Sequence, residues 1–343
     1  MKILLVSALR DEGPHLLEWI AHHRAIGVTD FLLFSNDCLD GTDTMLDALA
    51  GMGVTHLEND PPEGKSLQWN ALKQAWGHEL RRKADWVLCI DSDEFINLRA
   101  PLVDLPGLIE ASGEADAIVL PWRLFGHNGQ ARLSDGLSID LFTRAAHPGS
   151  DYPIGSRQFK TLFRNKGPFR QIGIHRPRLK KEAQAHWVDG SGQPMPAEFA
   201  NAEQRLTLYG FPEASALVQL NHYSVRSAES FMLKRARGLP NRRGKAIDLT
   251  YWVERNFNLV EDRSIQRMRP GTVAQLEQLM ALPGMAELNA KAHLHHHAKF
   301  IEIMRQQAEV KLYGRLMLAA SSVSLPPDMV SELVRLYQAS HDG

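Results

Sequence analysis

The chain has 343 residues, of which 44% are hydrophobic and 23% are charged, and its formal net charge is -1. These values are ordinary for a soluble globular protein built from one large or two smaller domains. A charge so close to zero excludes a global attraction to nucleic acid or to an anionic membrane. We therefore expect no nucleic-acid partner, and any charge-driven binding has to be local.

The cysteines and the N-terminus bear on the cellular compartment. Cys38 and Cys89 form neither a zinc spacing nor a disulfide framework, which is typical of a reducing cytosol. The first apolar run is short and ends at Arg10, so it predicts a strand rather than a signal peptide. No apolar run approaches the roughly 18 residues that span a bilayer. We expect a cytoplasmic protein and leave open a peripheral contact with the inner face of the membrane.

The first ninety residues alternate between buried strands and amphipathic helices. The patterns predict strands over 2–9, 29–37, 53–60 and 85–90. They predict one helix from residue 16 to a stop at Gly27, a second that begins at a Thr42 or Asp43 cap after a turn at Asp40-Gly41, and a third over 63–83. This β-α-β-α-β-α-β order predicts a parallel sheet covered by helices. In such sheets ligands bind at the carboxyl ends of the strands.

The rest of the chain is less regular. It predicts strands over 115–126 and 216–225, with two short, antiparallel strands over 139–144 and 159–165 between them. From about residue 227 the pattern is helical. We divide the chain into an α/β domain over 1–230 and a helical C-terminal extension over 231–343.

The fourth strand ends in a cluster of acids, within DWVLCIDSDEF. Asp91 and Asp93 can reach the same side of the following turn. Two close carboxylates repel each other unless a cation neutralises them, and oxygen ligands suit Mn²⁺ or Mg²⁺. We expect the ion to hold a diphosphate and to stabilise it as a leaving group. The alternative is a solvated turn in which Asp91 caps the next segment.

Several segments in the first 240 residues carry a resemblance to a known family. They are ALRDEGPHLLEWIAHHRAIGVTDFLLFSNDCLDGT, EGKSLQWNALKQA, DWVLCIDSDEF, LPWRLFGHNG and LNHYSVRSAESFMLKRARG. Together they resemble GT-A-fold nucleotide-sugar glycosyltransferases of the family-2-like bacterial branch related to glycosyltransferase family 92.

The resemblance implies both a fold and a reaction. The fold is an α/β, GT-A-like, Rossmann-type mixed sheet flanked by helices, which makes 1–230 the catalytic domain. The reaction is the metal-dependent transfer of a sugar from a nucleotide donor to an acceptor hydroxyl, with inversion favoured. A UDP-sugar is the first expectation for the donor, and a glycan, a lipid-linked molecule or a protein for the acceptor.

The resemblance also implies the metal ligands and some of the phosphate contacts. His222 in LNHYSV would complete a metal site with Asp91 and Asp93, whereas a lone histidine such as His175 is more often structural. The basic segment after it would bind phosphate, or else form a solvated helix face or contact an anionic membrane. Lys234 and Arg237 match the family block in this segment, which also contains Arg226, Arg235, Arg242, Arg243 and Lys245.

Polar residues at the other strand ends are candidates for binding the nucleotide. Arg10 and Glu12 follow the first strand, and Asn36 and Asp37 follow the second, where many relatives carry an aspartate in place of Asn36. The alternatives are acids at a helix N-terminus and an Asx-turn. The remaining candidates lie in the third helix or between the two aspartates, and they are Lys65, Gln68, Asn70 and Ser92.

A general base would be needed to deprotonate the acceptor. We predict Asp135 for this role, beside Asp93 as the second catalytic residue, and no spacing separates Asp135 from Asp140 or Asp151. His293, His295, His296 and His297 lack an accompanying acid or cysteine at a zinc spacing, which favours a partly exposed helix.

Two other functions are compatible with the sequence. A metal-dependent nucleotidyltransferase or phosphohydrolase would share the carboxylates but release pyrophosphate or phosphate. A non-catalytic module would bind a nucleotide sugar or glycan without consuming it.

Overall fold

A computed structural model describes residues 1–238 and 247–340 of the chain. Three basic residues of the predicted phosphate-binding segment, Arg242, Arg243 and Lys245, lie outside the described residues. None of the described helices is both long enough and apolar enough to cross a bilayer.

The described chain contains thirteen strands and thirteen α-helices. The strands are β1 (Ile3–Leu9), β2 (Asp30–Ser35), β3 (Val54–Glu58), β4 (Trp86–Cys89), β5 (Glu94–Leu98), β6 (Ala117–Leu124), β7 (Arg144–Ala145), β8 (Phe159–Arg164), β9 (Phe169–Gln171), β10 (Arg178–Leu179), β11 (Trp187–Val188), β12 (Val218–His222) and β13 (Val260–Glu261). The helices are α1 (Gly13–Ala25), α2 (Thr42–Ala48), α3 (Leu67–Gly77), α4 (Glu79–Lys83), α5 (Leu105–Ala111), α6 (Ser138–Leu141), α7 (Ala197–Asn201), α8 (Ala228–Arg237), α9 (Leu249–Val253), α10 (Arg269–Met280), α11 (Met285–Ile303), α12 (Gln307–Leu318) and α13 (Pro327–Ala339).

A mixed central sheet confirms the predicted α/β fold class with C-terminal helices. Its strand order is β3-β2-β1-β4-β8-β6-β12-β5, with β11 beside β6. The pairs among β3, β2, β1 and β4 are parallel, as the alternating pattern predicts. The chain adds β2 and β3 on one side of β1 and then places β4 on its other side. Such a reversal of direction opens a crevice at the carboxyl ends of the strands.

The second half of the sheet brings further strand ends to the same edge. β8 is antiparallel to both β4 and β6, so β6 runs parallel to β4. β12 is parallel to β6 and antiparallel to β5. As a result, β1, β4, β6 and β12 all end at one edge of the sheet.

Two local predictions are wrong. The segment 139–144, predicted as a strand, forms α6 and reaches β7 only at its end. Glu18 from α1 accepts hydrogen bonds from the backbone N–H groups of Ser138 (2.8 Å) and Ile139 (3.2 Å), and this distant cap starts the helix. The predicted helix over 63–83 is interrupted at His78, whose backbone is extended (ψ 150°) and whose side chain accepts from the Leu80 N–H.

Strand β5 was not predicted. The acidic turn connects β4 directly to β5, which pairs along its whole length with β12. Its partner lies more than a hundred residues away in sequence, so no local pattern signals the pairing. The acids after β4 therefore occupy a tight turn between two buried strands.

The C-terminal helices pack against α1 and share its hydrophobic core. Leu279, Met285 and Ala292 belong to the same buried cluster as the sheet residues. Gly13 allows the close approach of α11, because a Cβ at this position would lie 2.6 Å from the Cβ of Ala292. The division between 1–230 and 231–343 stays a prediction.

A buried carboxylate also connects α11 to the start of α1. Asp40 Oδ2 accepts hydrogen bonds from the Gly13 N–H and from His296 Nε2, each at 2.8 Å. His296 is thus a packing residue in the histidine-rich helix. Among the described residues no group of three or more His, Cys, Asp or Glu side chains forms a metal site.

The shared core predicts that α10 stabilises the sheet domain. Leu279 is fully buried, so Leu279→Ala should lower the free energy of unfolding of the whole chain by about 3 kcal/mol. Leu294→Ala is the control, because this leucine is 69% exposed and should change the stability by less than about 0.5 kcal/mol. Urea unfolding monitored by circular dichroism measures both. A separate unfolding step for the helices, with the sheet unaffected, would contradict the prediction.

Candidate functional site

A cavity of about 580 Å³ opens at the edge of the sheet where β1, β4, β6 and β12 end. Arg10 and Glu12 follow β1, Asp93 follows β4, Trp122 is near the end of β6, and His222 ends β12. Further lining residues come from the acidic turn, from the segment 152–158, from α8, from the end of α9 and from α13. They include Asp91, Ser92, Leu124, Gln158, Thr207, Lys234, Arg237, Tyr251, Glu254, Arg255 and Tyr337.

Asp91 is held by a lysine from the neighbouring strand. Lys160 of β8 is fully buried, and its Nζ lies 3.0 Å from Asp91 Oδ2 and 3.4 Å from Glu94 Oε2. Gln68 Nε2 donates to the other Asp91 oxygen at 3.1 Å. Burial lowers the pKa of Lys160, but the charges of Asp91 and Glu94 outweigh it and raise that pKa above the ordinary range. Burial raises the pKa of Glu94 well above its ordinary value.

Asp93 is held by a lysine from α8 and lies beside the histidine at the end of β12. Lys234 Nζ donates to Asp93 Oδ2 at 2.8 Å, and His222 Nε2 lies 3.5 Å from Oδ1. Burial alone would raise the pKa of Asp93, but the charge of Lys234 and the contact with His222 keep it well below its ordinary value. The Trp122 ring lies 4.2 Å from the His222 ring, centroid to centroid.

Glu12 is buried between two arginines. Arg226 Nη1 donates to its Oε2 at 2.7 Å, and Arg237 donates to Oε1. Burial would raise the pKa of Glu12, but the charges of Arg237 and Arg226 outweigh it and lower that pKa from 4.5 to about 2. Arg226 adopts a left-handed backbone (φ 47°), which is rare for arginine, and it also donates to the Ser92 carbonyl at 2.8 Å.

The donor set at Asp93 and His222 fits a divalent cation that shares its coordination with a substrate. The two side chains place one oxygen and one nitrogen at the cavity wall, 3.5 Å apart, while the second Asp93 oxygen stays with Lys234. Ions such as Mg²⁺ often take one or two protein ligands and complete their shell with phosphate oxygens and water. Both Asp91 oxygens already have partners, so its role as a metal ligand stays a prediction.

The residues predicted to bind the base lie around the ends of β1 and β2. Arg10 lines the cavity, and its Nη1 is 3.9 Å from Asp37 Oδ2. Asp37 itself is exposed. Asn36 is buried, and neither its side-chain oxygen nor its side-chain nitrogen has a hydrogen-bond partner in the part of the chain that the structure describes.

Other predicted residues lie away from the cavity wall. Lys65 is exposed before α3, and Asn70 donates to Asn59 Oδ1 at 2.8 Å rather than to the acidic turn. Asp135 is fully exposed, and the partner of its carboxylate is His293 at 3.6 Å. Neither of the alternative bases lines the cavity: Asp140 pairs with Arg269, and Asp151 with Arg157.

Sequence reasoning missed Lys160 and the residues contributed by α9. A lysine inside the apolar strand 159–165 is an available signal, because a buried lysine requires an acidic partner. Glu254 and Arg255 carry no such signal, since only the folding of α9 beside α8 brings them to the cavity.

No protein-family model and no curated protein matches the sequence. The fold has distant similarities to solved structures. One is the 1–349 portion of TarS from S. aureus in complex with UDP, at 16% identity and a TM-score of 0.34, covering 89% of this chain and 92% of that one. HddC from Yersinia pseudotuberculosis has 12% identity and a TM-score of 0.31, covering 55% and 89%. The 4-diphosphocytidyl-2C-methyl-D-erythritol synthase from Anaerococcus prevotii has 12% identity and a TM-score of 0.28, covering 60% and 96%. At these identities and TM-scores the similarities do not assign a function.

The first prediction from the site concerns the buried lysine, Lys160. Lys160→Met leaves Asp91 and Glu94 without their cation, and should lower the free energy of unfolding at pH 7 by about 3 kcal/mol. Adding Glu94→Gln should recover part of this loss, because it removes one of the two orphaned carboxylates. Urea unfolding compares both variants with Lys166→Met, an exposed lysine whose loss should have little effect. Equal stability of Lys160→Met and Lys166→Met would contradict the ion-pair assignment.

The second prediction from the site concerns Glu12 and the pH dependence of stability. The pKa of Glu12 is lower in the folded chain than in the unfolded one, so its contribution is complete above pH 4.5 and is lost as the pH falls toward 2. At pH 7, Glu12→Gln should therefore cost about 3 kcal/mol. The difference between the variant and the wild type should shrink between pH 5 and pH 3, as measured by urea unfolding. A difference independent of pH would show that Glu12 is not held as a carboxylate.

Proposed function

We propose that the chain is a glycosyltransferase that uses a nucleotide sugar and transfers the sugar, with inversion, to an acceptor hydroxyl. One observation carries the proposal. A single cavity joins Asp93 and His222 to the basic side chains Lys234 and Arg237, at the carboxyl ends of the parallel strands. Its volume of about 580 Å³ lies within the range of small-molecule sites.

The basic side chains would bind the donor phosphates. Lys234 and Arg237 sit on the cavity wall with their charges fixed by Asp93 and Glu12, so little reorganisation is needed when a diphosphate arrives. Lysine and arginine both form charge-assisted hydrogen bonds to phosphate oxygens. Asp93 and His222 would hold a Mn²⁺ or Mg²⁺ ion, which would supply further positive charge beside the departing nucleoside diphosphate.

The remaining walls suit a nucleoside and a sugar. Arg10 lines the cavity at the end of β1 and suits contact with the nucleoside, whereas Asp37 lies beside it, 3.9 Å away, and neither Asp37 nor the buried Asn36 lines the cavity. Trp122 presents an aromatic ring beside His222, which suits packing against a sugar face. The acceptor classes proposed are a glycan, a lipid-linked molecule and a protein.

The test is a measurement of UDP binding by calorimetry, with and without Mn²⁺. The wild type should bind UDP at least about tenfold more tightly with Mn²⁺, because the ion adds charge at the phosphates. Asp93→Asn should remove the manganese-dependent part. Asp328→Asn, an exposed aspartate on α13, is the control. A thermal melt establishes that each variant is folded.

The products distinguish the proposal from its alternatives. Incubation with a panel of UDP-sugars should release UDP without free phosphate, and incubation with UTP and a sugar 1-phosphate should release no pyrophosphate. Unchanged manganese dependence in Asp93→Asn would overturn the metal assignment, and release of pyrophosphate from UTP and a sugar 1-phosphate would favour a nucleotidyltransferase instead.

A further inference from the structure

The cavity wall contains four carboxylates among the described residues, and each has a cationic partner. In three of these ion pairs the acid or its partner is buried. Glu12 is buried between Arg226 and Arg237, and Asp93 is paired with Lys234. Asp91 is paired with the buried Lys160. A carboxylate held by a cation in this way is a poor proton acceptor, because the cation stabilises the unprotonated form.

The fourth carboxylate is Glu254, at the C-terminal end of α9. Its carboxylate pairs with Arg255, the next residue in the chain, at 2.9 Å, and its side chain is 42% exposed at the cavity. The guanidinium carbon of Arg255 lies 3.9 Å from the centre of the Tyr251 ring, and Arg255 Nη1 donates a hydrogen bond to the Tyr251 carbonyl. Glu254 is thus the one of these four acids whose ion pair contains no buried residue, and such a solvent-screened pair holds a carboxylate only weakly.

Contacts between α8 and α9 place the helix that ends at Glu254 close to Lys234, the partner of Asp93. The ammonium group of Lys234, which bonds Asp93, lies 5.4 Å from the centre of the Tyr251 ring. Trp252 of α9 is fully buried and packs edge-on against Phe231 of α8, with ring centroids 5.1 Å apart. These contacts fix the position of α9 relative to Lys234.

We propose that Glu254 is the general base of the transfer reaction, a role that rests on the proposed function. Its carboxylate takes the proton from the acceptor hydroxyl as the acceptor oxygen forms a bond to the anomeric carbon. The bond between the anomeric carbon and the phosphate oxygen breaks, and its electron pair leaves with the nucleoside diphosphate. Glu254 then releases the proton to solvent. The sugar arrives with inverted configuration because the acceptor attacks opposite the leaving group.

Glu254 replaces Asp135 as the candidate base. Asp135 is fully exposed, pairs with His293 and does not line the cavity, so it could act only if its loop moved. A base has to be within hydrogen-bond reach of the proton that it removes, either directly or through one water.

The experiment uses the full chain and the hydrolysis of UDP-glucose, UDP-galactose and UDP-N-acetylglucosamine in the presence of Mn²⁺, with water as the acceptor. Glu254→Gln should bind UDP as the wild type does but release UDP from the fastest donor about a hundredfold more slowly. Glu261→Gln is the matched control, because Glu261 is also exposed and paired with a nearby arginine, Arg263, at 2.8 Å, but lies outside the cavity.

Azide separates a base from a structural residue. The azide anion attacks the anomeric carbon without losing a proton, so it should restore UDP release in Glu254→Ala and yield a glycosyl azide. It should not restore Asp93→Ala, whose defect would lie in binding the diphosphate.

The outcomes separate the two proposals. A release rate for Glu254→Gln within about threefold of the wild type, or no stimulation of Glu254→Ala by azide, would overturn the role of Glu254 alone. A wild-type chain that neither binds UDP nor consumes any of the donors would overturn the proposed function, and the role of Glu254 with it.

Discussion

The structure depends on pairing buried acids at the strand ends with cations that come from distant parts of the chain. Lys160 reaches the acidic turn from β8, and Lys234 and Arg237 reach Asp93 and Glu12 from α8. Burying a single charge costs several kcal/mol, so each of these acids is tolerated only because its partner is in place. The pairing therefore requires β8 to lie between β4 and β6, and α8 to lie across the edge of the sheet.

In the proposed function, the same arrangement would prepare the cavity for an anionic ligand. The cations are already desolvated and oriented before any phosphate arrives, so their attraction is stronger than that of exposed side chains. Asp93 divides its two oxygens between Lys234 and the side facing His222. In the proposed function the oxygen that faces His222 would bind the additional cation, while the other oxygen keeps its lysine. A helix of the C-terminal half thus contributes directly to the site at the sheet.

Much of the fold could be predicted from sequence, but only part of the candidate site. The strands β1 to β4 follow from runs of buried residues, and their parallel order follows from the helices between them. The position of Asp91 and Asp93 at a strand end follows in the same way. The neutralising role of Lys160 does not, because its distance from Asp91 is set by the pairing of β8 with β4. The helix α6 was missed because Glu18, far away in sequence, caps it.

By itself, the sequence determined which segments form the parallel half of the sheet and which residues stand at its carboxyl edge, since both depend on local periodicity. Only the tertiary structure decided which charges neutralise the acids, where Asp135 lies, and that Glu254 faces the cavity. The physical reason is that electrostatic pairing depends on distances of a few ångströms between residues many positions apart, and only the packing of strands and helices sets such distances.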